Sequence, residues 1–302
     1  MKTILITGAT SFLGSKLIHE LEKDKKLKII KTSLHGNAKQ GIEKLDLLQP
    51  SKVKRFIANK KPEIIFHFAA LVNLTRDYDT ARKCIDANIT ATLNLLEACS
   101  GSSLKRFIFS STEEIYGINI LPYKEVILPN PPSMYSISKI AGEQLCEYYS
   151  KIIGFRLIIL RIGTLYGPGS QPDRFLTSIF KSVVVGKPIL LNSGKLKRDY
   201  IYISDAVSAL LKSMKKAFRK NEIINIGGST SISLRKFIEM AVKNSKSTSK
   251  IMFNAFPDRI GEAPVQKMSI LKAKELLNWE PKIDLAVGIK KSIAFFSQNG
   301  YH

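Results

Sequence analysis

Apolar and polar residues in the first half of the chain follow two alternating patterns. Thr3–Thr7, Leu27–Thr32, Glu63–Phe68, Lys105–Ser110 and Phe155–Arg161 are short apolar runs of strand length. Between them, Leu13–Lys23, Ser51–Asn59, Thr80–Cys99 and Met134–Ile153 repeat their apolar residues with helical periodicity. Strand alternating with helix predicts a parallel sheet covered by helices, to which Gly41–Leu45 adds a short strand. The expected fold class is α/β.

Beyond Tyr166-Gly-Pro-Gly169 the regular alternation gives way to mixed short elements. A helix near Arg174–Val185 runs into the turn Gly186-Lys-Pro188. Tyr200–Ile203 and Ile223–Ile226 read as strands returning to the main sheet, with a helix over Ser204–Ala217 between them. Further helices are expected near Leu234–Lys243, Ile270–Leu277 and Ala286–Phe296. This organisation implies a nucleotide-binding domain built from 1–166 and 200–228, and a smaller lobe assembled from 167–199 and 229–302. The cleft between them is the expected substrate site.

A chain of 302 residues can bury a sizeable core. Apolar content of 44% and charged content of 24% are ordinary for a soluble globular protein. No apolar run reaches the roughly 18–20 residues of a membrane span. The opening Met-Lys-Thr-Ile-Leu-Ile-Thr-Gly reads as a strand entering a turn rather than as a signal peptide. Cys84, Cys99 and Cys146 are scattered and lack metal-ligand spacing, so the reading expects a cytoplasmic protein without a metal. The net charge of +22 raises the question of nucleic acid. Lysines are nevertheless spread over almost every predicted helix, and the densest clusters, Lys23–Lys28 and Lys212–Lys220, match no nucleic-acid motif. A solvated basic surface is expected, with no nucleic-acid or membrane partner and faster encounter with an anionic substrate.

Chemistry enters with Thr7-Gly-Ala-Thr-Ser-Phe-Leu-Gly14, which follows a predicted strand and opens a predicted helix, the context of a dinucleotide fingerprint. Gly8 permits the tight turn and Gly14 lets helix and strand approach closely. The helix N-terminus offers amide donors and a partial positive charge to a pyrophosphate. Thr10, Ser11, Phe12 and Leu13 complete the cofactor turn, with Ser11 in place of the pattern's middle glycine. The second strand ends on Thr32 and Ser33, where a carboxylate would hold the ribose 2′-hydroxyl of NAD. None is present, and Lys31, His35 or Lys39 would instead meet a 2′-phosphate. The expected cofactor is NAD(P)(H), with NADP(H) slightly favoured over NAD(H). Asp46, after the short strand, is either an adenine contact or a helix-cap neighbour.

Tyr135 and Lys139 share one face of a predicted helix, with Cβ atoms about 5–6 Å apart. An ammonium beside a phenol favours phenolate, which suits Tyr135 to exchange a proton with a substrate hydroxyl near neutral pH. Together with the glycine turn and the run Ser110-Ser-Thr-Glu-Glu-Ile-Tyr-Gly117, the pair points to nicotinamide-dependent redox chemistry.

These motifs continue through His67-Phe-Ala-Ala70, Asn88 with the following Leu-Leu-Glu-Ala98, Leu160-Arg161 and Tyr166-Gly-Pro168. Arg198-Asp-Tyr-Ile-Tyr-Ile-Ser-Asp205, Asn225-Ile-Gly-Gly228 and Arg259-Ile-Gly-Glu262 complete the series. In that order they resemble the extended short-chain dehydrogenase/reductase family, the NAD(P)-dependent nucleotide-sugar epimerases and dehydratases. The resemblance implies a Rossmann-like doubly wound parallel sheet with a smaller discontinuous α/β substrate-binding lobe. It also implies a nucleoside-diphosphate sugar as substrate and a homodimer. Tyr135 would be the acid/base, Lys139 would lower its pKa and bond the nicotinamide ribose, and Thr112 would bind the reacting sugar oxygen. Ala69 and Ala70 would line the cofactor path beside Leu47, Phe68, Asn88 and Ser110. Arg198 and Arg259 fall where the family clamps the diphosphate, a task that suits guanidinium forks.

Three features bear on the reaction. Glu113-Glu114 stands where sugar 4,6-dehydratases place an acid and a base, although some 4-ketosugar reductases look similar. Leu71-Val-Asn-Leu-Thr75 supplies no histidine or acid of the kind dehydratases carry there. Thr164 replaces the asparagine with which epimerases and dehydratases mostly contact the substrate. The reading leans to a 4-ketosugar reductase acting at C4. A nucleotide-sugar 4-epimerase comes next, then a 4,6-dehydratase, and a catalytically idle dinucleotide-binding scaffold with a basic surface is the non-enzymatic alternative.

Overall fold

The computed structural model describes residues 1–75, 77–172, 174–228, 230–259 and 261–298. They form two compact units. The first comprises Met1–Ile115, Pro129–Arg161 and Ala209–Ile224. It begins β1 (Lys2–Thr7), α1 (Phe12–Leu21), β2 (Leu27–Ser33), β3 (Glu43–Lys44), α2 (Pro50–Lys60) and β4 (Ile64–His67). It continues with α3 (Tyr78–Cys84), α4 (Ala91–Ala98), β5 (Arg106–Thr112), α5 (Met134–Ile153) and β6 (Arg156–Ile162). The second unit holds β7 (Thr164–Tyr166), α6 (Phe175–Val185), β8 (Ile189–Leu190) and β9 (Lys197–Tyr202), then α7 (Ile203–Lys215) begins in it and ends in the first. After β10 (Glu222–Ile226) come β11 (Ser231–Ser233), α8 (Leu234–Ser245), β12 (Ile251–Met252), α9 (Leu271–Leu277) and α10 (Leu285–Gln298). No described helix is long and apolar enough to cross a membrane.

Seven strands make one parallel sheet in the order β10-β6-β5-β4-β1-β2-β3. The chain starts at β1, winds outward through β2 and β3, then returns to β4 and winds the other way, which makes the sheet doubly wound. Register places Lys2 opposite Leu27 and Ile4 opposite Ile64, so the C-terminal ends of β1, β2 and β4 lie side by side. Those ends carry Thr7, Thr32 and His67 at the edge where open α/β sheets bind ligands. The predicted apolar runs fill the interior: Ile4, Leu5, Ile65, Phe66 and Phe107 have no exposed surface.

One expectation needs correction. Tyr200–Ile203 does not return to the main sheet; β9 is the centre of a three-stranded sheet, parallel to β7 and antiparallel to β11. Apolar periodicity identifies a strand without identifying the sheet that accepts it, whereas Ile223–Ile226 does join the main sheet, as β10. The helix expected over Thr80–Cys99 is present as one continuous helical run, in which a π-helical stretch at Ile85–Thr90 lies between α3 and α4.

Two buried polar groupings brace the sheet. Arg161 on β6 meets Glu143 on α5 through two parallel bonds, Nε to Oε1 at 3.1 Å and Nη2 to Oε2 at 2.7 Å. Both side chains are almost wholly buried, at 4% and 1% exposure. His67 shares a 2.6 Å hydrogen bond with Thr7 Oγ1 through Nδ1 and a 2.9 Å bond with Thr92 Oγ1 through Nε2. The Thr92 hydroxyl spends its one proton on the Asn88 carbonyl at 2.6 Å, so it accepts from His67 Nε2–H. Burial keeps the ring neutral, so Nδ1 is the acceptor and takes the Thr7 proton. Burial, helped by the charge of Lys139, pushes its pKa down to about 3.

Both groupings have measurable consequences. Arg161→Met strands a buried carboxylate, so the urea-unfolding free energy should fall by about 3 kcal/mol; adding Glu143→Leu should recover most of that loss. An unfolded chain protonates His67 near 6.5, while the folded chain resists protonation down to about 3. The unfolded state thus binds more protons in this window, and the contribution of His67 to stability fades as pH falls through it. The stability difference between wild type and His67→Asn, followed by urea titration, should therefore narrow steadily below pH 6.5.

Candidate functional site

Glycine is required at both ends of the first turn. Gly8 has φ of +68°, and a Cβ there would lie 2.6 Å from the Ala69 nitrogen. A Cβ on Gly14 would lie 2.5 Å from the Gly8 carbonyl oxygen. Ser11 is extended at the N-cap of α1, where its Oγ accepts from Gly14 N at 3.1 Å and its own amide donates to Gly8 O at 2.9 Å. The serine in the middle-glycine position is thus the helix cap. No acidic residue occupies the first turn of α1, so its positive end is free to receive an anion. Thr10 is exposed, Phe12 half-buried and Leu13 buried beneath the turn. The close backbone and unneutralised helix end fit a dinucleotide pyrophosphate.

Around the second strand, most groups serve the fold. Thr32 is buried with its hydroxyl directed at Ile6 O, 3.4 Å away, and Ser33 Oγ accepts from Gly36 N at 3.0 Å. Lys31 was expected to be available for a 2′-phosphate. Its ammonium instead binds Glu22 at 3.0 Å and the Gln40 carbonyl at 2.6 Å. His35 and Lys39 are exposed. Asp46 spends one carboxylate oxygen on Leu48 N and the other on Gln49 Nε2, both at 2.9 Å, and these bonds lower its pKa. That is the cap-neighbour arrangement. Leu47 is buried and its carbonyl accepts from Asn94 Nδ2 at 2.8 Å.

Asn88 lies in the π-helical stretch and works as a strut. Its Oδ1 accepts from Leu71 N at 2.7 Å, while Nδ2 donates to Leu71 O at 3.0 Å and to Ser138 Oγ at 2.8 Å. Both amide protons are committed, which fixes the loop following Phe68, Ala69 and Ala70 against α5. Phe68 is buried and the two alanines are half-buried. The Ala69 amide reaches Thr7 Oγ1 at 3.5 Å, tying this loop to the His67 network.

Helix α5 starts in a reciprocal cap, with Ser133 Oγ accepting from Ser136 N and Ser136 Oγ accepting from Ser133 N, each at 3.1 Å. It carries Tyr135 and Lys139 into nearly buried positions, 9% and 3% exposed. Ser138 Oγ donates to the Tyr135 carbonyl at 2.7 Å, so the Asn88 strut reaches the turn bearing the tyrosine. The Lys139 ammonium sits 4.1 Å from the centre of the Phe109 ring. Burial pushes its pKa down to about 8, with Cys146 and Glu143 pulling the other way. Gly142 lets that ring pack closely, since a Cβ would lie 2.7 Å from Phe109 Cζ.

Ser110, Ser111 and Thr112 close β5. Ser111 Oγ is buried with no hydrogen-bond partner among the described residues, while Thr112 Oγ1 accepts from Glu114 N at 3.3 Å. Glu113 is 3% exposed. The charges of Asp77 and Glu114 add to the burial that raises the Cys84 pKa.

In the second unit, Arg198 and Arg259 converge on one carboxylate. Arg198 Nη2 donates to Glu262 Oε2 at 2.9 Å, and Arg259 Nη1 donates to Glu262 Oε1 at 3.2 Å. The motif pointed to Arg259 and left Glu262 without a role, although the glutamate was its last residue. Next to Arg198, buried Asp199 accepts from Met268 N at 2.9 Å and from Gly228 N, and burial pushes its pKa up to about 6. Thr164 opens β7 in register with Tyr200. Among the described residues no group of histidine, cysteine, aspartate or glutamate has metal-binding spacing.

Residues 4–227 match the model of the NAD dependent epimerase/dehydratase family. An uncharacterized UDP-glucose epimerase of Bacillus subtilis (strain 168) is 32% identical over 311 residues, spanning 97% of this chain and 98% of that protein. The UDP-glucuronic acid 4-epimerase of Bacillus cereus, solved with UDP-glucuronic acid and NAD, is 28% identical with a TM-score of 0.89. That likeness covers 98% of this chain and 99% of the solved one. The Thermotoga maritima UDP-glucose 4-epimerase, solved with UDP-glucose, aligns with a TM-score of 0.91 at 25% identity, over 98% and 99% of the two chains. The chain belongs to the NAD dependent epimerase/dehydratase family, as the order of its motifs implied.

Proposed function

We propose that this chain is a nucleotide-sugar 4-epimerase that uses NAD(H) and acts on a uridine-diphosphate hexose or hexuronate. The observation that carries the reading is the Tyr135–Lys139 pair, nearly buried on a capped helix with the ammonium 4.1 Å from the Phe109 ring centre. The relatives named as UDP-glucose and UDP-glucuronate epimerases support it. The ketoreductase expected from the sequence leaned on a preference for NADP(H), and Lys31, bound to Glu22 and Gln40, no longer favours that preference. Relatives solved with NAD support NAD(H).

The glycine turn and the end of α1 would hold the pyrophosphate, with Lys139 at the nicotinamide ribose. Nicotinamide, when bound, supplies the oxidation and reduction at the sugar carbon. Tyr135 Oη takes the proton of the reacting hydroxyl and later returns it, helped by the adjacent ammonium. Thr112 hydrogen-bonds the same sugar oxygen and orients it. Glu113 and Glu114 shape the turn after β5 in this reading, and no elimination is assigned to them. In the second unit, Arg198 and Arg259 are proposed to take the diphosphate, one guanidinium already held in place by Glu262 and the Ala263 carbonyl.

The purified protein should interconvert UDP-glucose or UDP-glucuronate with its C4 epimer without added reductant, as read by chromatography. Tyr135→Phe should lower turnover by about 10²–10⁴-fold while retaining NAD, because only the proton-transfer oxygen is removed. Consumption of NADPH with a 4-keto-6-deoxy nucleotide sugar, without any interconversion, would instead establish the reductase, the reading that Thr164 favours. Full turnover in Tyr135→Phe would remove the acid/base assignment.

A further inference from the structure

We propose that a groove on the first unit, away from the glycine turn, binds single-stranded nucleic acid through its phosphates. The two densest lysine clusters are far apart in sequence, and each alone reads as solvated surface. The fold brings them together around one cavity of about 520 Å³, lined by Lys23, Lys25 and Lys26 from one cluster and Lys215 from the other. Lys216 and Arg219 continue the second cluster along the chain after α7.

Both segments are held in fixed conformations. The first is a turn in which Lys26 N donates to Asp24 Oδ1 at 3.0 Å and Leu27 N to Asp24 O at 3.1 Å, projecting Lys25 and Lys26 outward. The second is pinned by Arg106, whose guanidinium donates to the Ser213 carbonyl at 2.9 Å and to the Met214 carbonyl, and stacks on Phe218 at 5.6 Å. Two carboxylates also line the cavity, Glu20 and Asp24. Glu20 is neutralised by Lys23 at 2.7 Å, and Asp24 is engaged with its own turn. Lys25, Lys26, Lys215, Lys216 and Arg219 are exposed, and among the described residues none of their side chains pairs with a carboxylate.

The shape of the groove narrows the ligand. Leu21, Leu27, Leu211 and Met214 form an apolar floor, with Leu21 and Met214 buried at 2% and 7% exposure. None of these four projects as an exposed hydrophobic anchor, which argues against insertion into a membrane. Among the described residues no aromatic side chain lines the groove, so binding rests on the phosphates of a flexible strand meeting Lys25, Lys26 and Lys215 rather than on base stacking. The proposal departs from the expectation drawn from the sequence, in which the separation of the clusters concealed their convergence.

The test is fluorescence anisotropy of a labelled oligouridylate of about 20 nucleotides against the full chain, with inorganic tripolyphosphate and vesicles of anionic phospholipid as parallel probes. Five phosphate contacts to a single strand predict a log–log salt slope of about −3.5, a loss of about 100-fold between 50 and 200 mM salt. The variant Lys25→Gln/Lys26→Gln/Lys215→Gln/Lys216→Gln should bind at least about tenfold more weakly, with the slope falling toward −1. A control with the same charge change, Lys236→Gln/Lys243→Gln/Lys246→Gln/Lys250→Gln on and after α8, should bind as wild type does. Equal losses in the two variants would assign binding to net charge and overturn the proposal. So would undiminished binding by the groove variant, or binding of tripolyphosphate or vesicles without the oligonucleotide.

Discussion

Lys139 is a charge held almost entirely out of water, and much of the first unit is arranged to tolerate it. A buried ammonium without compensation loses its proton readily. Here the face of Phe109 lies beneath it, Glu143 and Cys146 raise its proton affinity, and the pKa is lowered only to about 8. Phe109 reaches that position because Gly142 has no Cβ, and Glu143 is in turn fixed by Arg161 from β6. One helix therefore carries the tyrosine, the lysine beside it and the carboxylate that ties both to the sheet.

His67 is the counterpart that must remain uncharged. A second cation this close to Lys139 would be costly, and burial together with that charge keeps the imidazole neutral. Its neutrality gives the hydrogen bonds one direction, from Ala69 N through Thr7 and His67 to Thr92 and the Asn88 carbonyl. Asn88 continues the connection through Ser138 to the Tyr135 carbonyl. The glycine turn and the first turns of α5 are thus parts of one polar lattice rather than separate motifs.

What the sequence disclosed was whatever depends on local pattern. Apolar runs located the strands of the main sheet, and the glycines at 8 and 14 announced a turn whose backbone contacts exclude a side chain. Tyr135 and Lys139 were legible because helical spacing alone puts them on one face. What escaped depended on partners distant in the chain. Lys31 appeared free for a phosphate until Glu22 and Gln40 were found against it, and β9 was assigned to the wrong sheet because a strand's neighbours are not written in its own residues. The π-helical stretch at Ile85–Thr90 was invisible for a related reason, since Asn88 is held by Leu71 and Ser138, outside its own helix.

Titration of Lys139 tests the buried-charge account most directly. In protein carrying ¹³Cε-labelled lysine, with the resonance assigned through Lys139→Met, one lysine should titrate near pH 8. A midpoint for Lys139 at the ordinary lysine value of 10.5 would show that its charge is solvated, and would contradict the account.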